Sequence, residues 1–197
     1  MLIEGAALRV LVVGAGEVAA RKTVSLVRAG AAVRVVAPHL CPELERLGAE
    51  GGCQVIRRVY ECHDISDAQL VIAATNTREV NARVAADAAL ANCWVNVADA
   101  PETGVVSFMA AHCIGTLTVG VSAGGVPAAA ARIRDAIAAR FDERYGESLQ
   151  TLVLARRALL ASGEATRWRA ASDALIDANF CDAVENGTLS ARVSAWR

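Results

Sequence analysis

Lysine is nearly absent: Lys22 is the only one, so amine-based covalent chemistry has a single candidate. Aromatics make up 4% of the chain, so any core must be built from Ala, Val, Leu and Ile. Charge of one sign is also missing. Lys plus Arg is 20, Asp plus Glu is 21 and the net charge is -1, which argues against a nucleic-acid footprint and against a polyacidic tail. No apolar run approaches the ~18–20 residues that span a bilayer. The run from Leu8 to Val13 is too short for the core of a secretion signal and leads straight into a glycine turn. A cytoplasmic protein with no membrane or nucleic-acid partner is expected. Cys41, Cys53, Cys62, Cys93, Cys113 and Cys181 include no C-x-x-C pair, so free packing thiols are expected rather than a disulfide framework.

What remains is 54% apolar, which excludes a disordered chain. Leu8–Val13 is a β-rich apolar run suited to a buried parallel strand. A helix is predicted from about Glu17, with Ala20, Val24 and Val27 on its inner face and Gly30 as its terminator. Further strands are predicted at Val33–Ala37, Val55–Val59, Leu70–Ala74 and Trp94–Val97. Helices are predicted over 41–50 and behind Asn76, where Asn76 and Glu79 have capping-box spacing. Strands alternating with helices imply βαβ units and a parallel sheet.

After Asp99 the texture changes. Val105–Met109 and Leu117–Val121 read as two strands, the second alternating like a half-buried antiparallel one. Gly124 and Gly125 then lead into a helix with Pro127 in its first turn and Ile133, Ile137 and Phe141 as its apolar stripe. From Gly146 onward the pattern is helical, with stripes Leu152, Ala155, Leu159 and Trp168, Ala171, Leu175 separated by Ser162 and Gly163. The expected architecture is α/β: a Rossmann-like parallel sheet over residues 1–112, a small α+β dimerisation region over 113–145 and a helical C-terminal domain over 146–197. Two strands are too few for a stable sheet of their own, so a homodimer is expected.

Gly14-Ala15-Gly16-Glu17-Val18-Ala19 is G-x-G-x-x-A between a predicted strand and a predicted helix, the context that gives the motif its meaning. Gly14 allows the tight turn, Gly16 leaves room for a pyrophosphate, and Ala19 lets helix and strand pack closely. The helix start then offers unpaired N–H groups to phosphate. The carboxylate that usually holds the ribose, about 20 residues on, is missing. The second strand runs out in Val36-Ala37-Pro38-His39, so backbone groups there must serve. No Arg follows that strand to receive a 2′-phosphate, which favours NAD over NADP.

Asp99 follows a predicted strand at the edge where open α/β sheets bind ligands. From spacing alone it is either a functional carboxylate or a turn cap before Pro101. Ser122 is expected to cap the next helix, and Arg132 and Arg134 are either solvated charges or carboxylate-binding groups. His39, His63 and His112 lack metal-ligand spacing, so no protein-bound metal is expected.

Four segments, in order, resemble the precorrin-2 dehydrogenase/sirohydrochlorin ferrochelatase family, the N-terminal module of siroheme synthases. They are Val12-Val13-Gly14-Ala15-Gly16-Glu17-Val18-Ala19-Ala20-Arg21-Lys22, Ala73-Ala74-Thr75-Asn76, Val95-Asn96-Val97-Ala98-Asp99, and Val119-Gly120-Val121-Ser122-Ala123-Gly124-Gly125 followed by Pro127 and Ala131-Arg132. The likeness covers roughly residues 8–180. It departs from the family pattern at Ala15, the middle position of a usual G-G-G, and at Thr77, where an Asp is common. The resemblance implies NAD-dependent oxidation of precorrin-2 to sirohydrochlorin, with ferrous iron insertion in some members. It matches Asp99 to the essential aspartate and Glu17, Val18, Pro38 and His39 to cofactor contacts; with Gly14 and Gly16 of the turn and Thr75 and Asn76 of the fourth-strand segment these are the candidate cofactor residues. For a substrate of that kind, rich in carboxylates, Ser122, the helix start after Gly124 and Gly125, and Arg132 are the candidate contacts. Two other classes stay open: a non-catalytic NAD-binding regulatory module, and a chelatase without dehydrogenase activity.

Overall fold

The computed structural model describes residues 3–196. The chain divides into two compact units between Ser107 and Phe108.

The first unit holds β1 (Arg9–Val13), α1 (Glu17–Arg28), β2 (Ala32–Val36), α2 (Pro42–Ala49), β3 (Gln54–Ile56), β4 (Leu70–Ala73), α3 (Arg78–Leu90) and β5 (Trp94–Val97). The strands form one sheet in the order β3-β2-β1-β4-β5, every pair parallel. This is the Rossmann-like sheet that the alternating pattern predicts. β1 is apolar without interruption because both its faces are covered. Val10 and Val12 join one core with Ala19, Leu26, Val33, Val35 and Leu44. Leu11 and Val13 join the other with Val71, Val84, Ala88, Val95 and Val97. The chain leaves β1 towards β2 and β3, then returns to its other side for β4 and β5. The strand order therefore reverses between β1 and β4, which opens a crevice at their carboxyl ends.

Several local expectations shift. The inner face of α1 is Ala19, Ala20, Thr23 and Leu26, with Val24 and Val27 only partly covered. The same helical spacing starts one residue earlier, because Ala19 is small enough to sit fully buried against the sheet. Gly30, with φ +85°, follows the end of that helix as expected. β3 stops at Ile56, and Val59 lies exposed in the connection beyond it. The capping box at Asn76 does not form: α3 starts at Arg78 with Thr77 at its N-cap position, and no side chain caps it. Val105 and Val106 do not open a strand. Both of their N–H groups donate to the single carbonyl of Val95, at 2.9 and 3.1 Å, so they continue no ladder.

The second unit begins with a hairpin, β6 (Ala110–Ile114) and β7 (Leu117–Val121), paired antiparallel. α4 (Pro127–Arg140) packs on both strands. Its predicted stripe is only partly inside: Ile137 is half-buried, Phe141 stacks against Tyr145 at 4.6 Å, and Ile133 is 49% exposed. α5 (Glu143–Ala161), α6 (Ala165–Leu175), α7 (Phe180–Glu185) and α8 (Leu189–Ser194) complete the unit. Their core is Tyr145, Leu152, Ala155, Ala171, Leu175, Val184, Leu189 and Val193, which contains most of both predicted stripes. Gly163, with φ +78°, separates α5 from α6. All six cysteines are free thiols, as expected. Among the described residues no helix is long and apolar enough to cross a membrane.

Candidate dinucleotide and catalytic site

The glycine turn sits at the crevice between β1 and β4. Gly14 has φ +107°, and a Cβ built there would lie 2.3 Å from the Ala74 carbonyl oxygen. Its N–H donates to Val36 O at 3.0 Å. Only glycine fits where three strand ends converge. Gly16 differs: its φ is −80°, it occupies the N-cap position of α1, and no atom lies within 4 Å of a Cβ built there. The space in front of it is open. The first intrahelical bond runs from Ala20 N to Gly16 O, so Glu17, Val18 and Ala19 have no intrahelical acceptor for their N–H groups. These donors and the positive end of α1 face any anion held at the turn. Cys41 N donates to Ala15 O at 3.1 Å, tying the turn to the start of α2.

A groove of about 720 Å³ runs from this turn. It is lined by Gly14, Ala15 and Gly16, by Ala37, Pro38, His39, Leu40 and Cys41 after β2, and by Thr75, Asn76 and Thr77 after β4. Six of the sequence-predicted cofactor residues thus share one groove: Gly14, Gly16, Pro38, His39, Thr75 and Asn76. Glu17 and Val18 lie in the first turn of α1 beside it and do not line it. No carboxylate lines the groove. No carboxylate of the lining repels an anionic ligand, and ribose hydroxyls would find backbone carbonyls and the His39 imidazole around Ala37–His39.

Sequence reasoning missed the groove's far wall, made by Val59, Tyr60, Val80 and Arg83. The Tyr60 hydroxyl donates to Asp87 Oδ2 at 2.8 Å, and the Arg83 guanidinium stacks 5.5 Å from the Tyr60 ring centre. Burial first, and the Asp87 carboxylate second, push the Tyr60 hydroxyl well above the usual tyrosine range, so it stays a neutral donor. Tyr60 lies in an aperiodic connection, where no sequence signal marks it. Arg83 is three residues after Val80 and four before Asp87, a helical spacing that does place these three on one face.

Asp99 stands two residues beyond β5 and is exposed. Its Oδ1 accepts a hydrogen bond from Asn81 Nδ2 at 2.8 Å. Asn81 is 1% exposed and also meets Thr75 at the groove wall. Asn81 was absent from the sequence-based candidates because it lies in the first turn of α3, three residues before Val84 and seven before Ala88, where helical spacing points to a core residue.

Lys22 does not line the groove. Its Nζ donates to Asn96 Oδ1, and Asn96 Nδ2 donates to Val106 O at 2.7 Å. Burial, and secondarily the neighbouring charge of Arg21, lower the Lys22 ammonium below the usual lysine range.

The remaining candidates belong to the second unit. Gly124 and Gly125 take φ of +55° and +86°, a pair of left-handed residues that glycine allows without strain. Ser122 is exposed and does not cap α4: the N-cap position is Val126, with no side-chain cap, so the capping expectation is corrected. The chain turns over Gly124 and Gly125 before the helix begins, which carries Ser122 past capping reach. Arg134 pairs with Asp135 at 2.6 Å, whereas Arg132 is exposed and forms no ion pair among the described residues. Among the described residues no cluster of three or more His, Cys, Asp or Glu could hold a metal ion.

Residues 1–110 match the family model described as "Putative NAD(P)-binding". The chain belongs to this family. A nicotinamide dinucleotide cofactor accords with that family. This family member is 46% identical over 140 residues to a siroheme synthase of Pseudomonas putida (strain W619). It is 42% identical over 139 residues to a siroheme synthase of Methylobacillus flagellatus. The match to the first covers 71% of this chain and 30% of that protein, so the chain spans about a third of the length of the curated relatives it matches. Among solved structures, SirC, a precorrin-2 dehydrogenase, superposes with a TM-score of 0.77 at 24% identity, covering 99% of this chain and 98% of that one. That likeness establishes a shared fold.

Proposed function

We propose that this chain is an NAD-dependent precorrin-2 dehydrogenase, converting precorrin-2 to sirohydrochlorin. One observation carries the reading. A dinucleotide groove and an exposed carboxylate, Asp99, lie along the carboxyl edge of one sheet and are joined through a single buried amide, Asn81. The relatives' names, siroheme synthase and precorrin-2 dehydrogenase, support the substrate. The absence of an Arg directly after β2 favours NAD over NADP.

The residues present fit the cofactor: Gly16 leaves open space where phosphate approaches, and no carboxylate opposes it. Gly14, Gly16, Glu17, Val18, Pro38, His39, Thr75 and Asn76 would hold it. When bound, NAD supplies the hydride acceptor. The oxidation removes a hydride and a proton from the reduced macrocycle. The hydride would go to NAD, and the Asp99 carboxylate would take the proton and pass it to solvent, which balances the two-electron oxidation. Asp99 Oδ1 is occupied by Asn81, and Oδ2 accepts no hydrogen bond from the described residues, which leaves it available as the base. Ser122, the Gly124–Gly125 turn and Arg132 serve the substrate. An exposed guanidinium with no ion pair among the described residues and the start of α4 suit the carboxylate arms of a polycarboxylate tetrapyrrole.

The same reading takes residues 113–145 as a dimerisation region and 146–197 as a helical domain. Exposed Met109 just before β6, Val126 at the N-cap position of α4 and Ile133 within α4 support a homodimer. Ferrous iron insertion into sirohydrochlorin would be a second step, with the metal as substrate.

Incubating the purified protein with precorrin-2 and NAD tests the reading. The absorbance of sirohydrochlorin should grow with the NADH signal, and faster with NAD than with NADP. Dinucleotide binding without product would instead indicate a regulatory module. Iron insertion into supplied sirohydrochlorin, without oxidation of precorrin-2, would indicate a chelatase alone.

A further inference from the structure

A carboxamide in the first turn of α3, three residues before Val84 and shielded from water, is costly unless its polar atoms are paired. An aliphatic side chain would pack there without that cost. Asn81 nevertheless occupies the position and is 1% exposed. Its pairing is complete. Oδ1 accepts from Thr75 N at 3.0 Å and from Thr75 Oγ1 at 2.7 Å. Nδ2 donates to Thr75 O at 3.1 Å and to Asp99 Oδ1 at 2.8 Å. Two acceptor sites and two N–H donors exhaust what an amide offers.

The arrangement also fixes the orientation of the amide. The Thr75 N–H can only donate and the Thr75 carbonyl can only accept, so Oδ1 must face the first and Nδ2 the second. The remaining Nδ2 hydrogen is then forced towards Asp99. Helix capping does not explain the network: the N-cap position of α3 is Thr77, and Asn81 is four residues further on.

We infer that Asn81 is a positioning residue: it holds the Asp99 carboxylate by Oδ1, fixes it to the Thr75 wall of the dinucleotide groove, and leaves Oδ2 directed to the reaction. This deepens the dehydrogenase reading and rests on it, but the link itself is a property of the protein without substrate. Because Thr75 lines the groove, a displacement of that loop is transmitted to Asp99 through one side chain.

Asn81→Asp keeps the shape and replaces the donor with an oxygen, placing two carboxylates face to face. Carbon-13 NMR of the aspartate carboxyls, with Asp99 assigned by its Asn variant, reads the effect in cofactor-free protein. The facing pair in Asn81→Asp should titrate with its upper midpoint at least about one pH unit above that of Asp99 in the wild type. The acid limb of the kcat profile for precorrin-2 oxidation should move up by a similar amount, with KM for NAD changing less than about threefold. A folded Asn81→Asp protein with the wild-type midpoint and acid limb would overturn the inference. The wild type provides a measurement that needs no variant: the Asn81 side-chain N–H resonances should shift with the Asp99 midpoint. Resonances that stay constant through that titration would equally overturn it. If the wild type oxidises no precorrin-2 but the NMR coupling is present, the dehydrogenase reading fails and the Asn81–Asp99 link stands.

Discussion

Gly14 and Ala74 meet so closely that a methyl group on Gly14 would lie 2.3 Å from the Ala74 carbonyl oxygen. That contact joins the end of β1 to the end of β4, the two strands between which the sheet reverses order. Gly14→Ala must therefore move backbone at the mouth of the groove as well as adopt an unfavourable φ. It should cost at least about 2 kcal/mol of stability. Dinucleotide binding should be lost with it. Chemical denaturation and calorimetric titration with NAD check both.

Gly16, two residues on, gives the opposite expectation. Its backbone is in the extended region and the space around it is empty. Gly16→Ala should lower stability by about 1 kcal/mol or less, the cost of a poorer N-cap. The added methyl occupies the space where phosphate approaches, so affinity for NAD should fall roughly tenfold or more, about 1.4 kcal/mol. Unchanged affinity would mean that the phosphates lie elsewhere.

Asp99→Ala should leave the fold and the groove intact, because the side chain is exposed and lies outside the groove lining. It leaves one buried N–H of Asn81 without its acceptor, at a cost of about 1 kcal/mol. NAD affinity should stay within about twofold. The turnover of precorrin-2 should fall by roughly 100-fold or more, the scale of a lost general base. Wild-type rates in that variant would remove Asp99 from the mechanism.

Asp64 gives the pH prediction. Burial of its carboxyl favours the neutral form, but the hydrogen bonds from Arg58, at 2.6 and 2.8 Å, and from Glu61 N, at 2.9 Å, outweigh it and hold the group below the usual carboxylate range. The folded state thus releases this proton more readily than the unfolded chain, whose value is about 3.9. The stabilisation is present in full above that value and is lost as pH falls through the lower folded value. Asp64→Asn should cost about 2 kcal/mol near neutral pH. It should also flatten the acid limb of the stability profile. Urea titrations of both proteins at a series of pH values between neutrality and strong acid would show this.

The sequence by itself determined the elements whose causes are local. The apolar run into Gly14 made β1 legible, because a strand covered on both faces needs no polar alternation. The left-handed φ values at Gly14, Gly30, Gly124, Gly125 and Gly163 follow from the residue type that tolerates them. The groove residues after β2 and β4 were legible through the motif and the resemblance, both of which act over a few residues. Tertiary structure alone decided the rest. Tyr60 reaches the groove from an aperiodic connection, and its partner Asp87 is a helix away in the chain. Asn81 sits at a position that helical periodicity assigns to the core, and only the return of the chain through β5 brings Asp99 to it. The Ser122 cap failed because two left-handed glycines redirect the backbone before α4 begins. Periodicity reports which face of an element is covered. Which polar group waits on the covering element depends on how distant segments meet, and no local pattern encodes that.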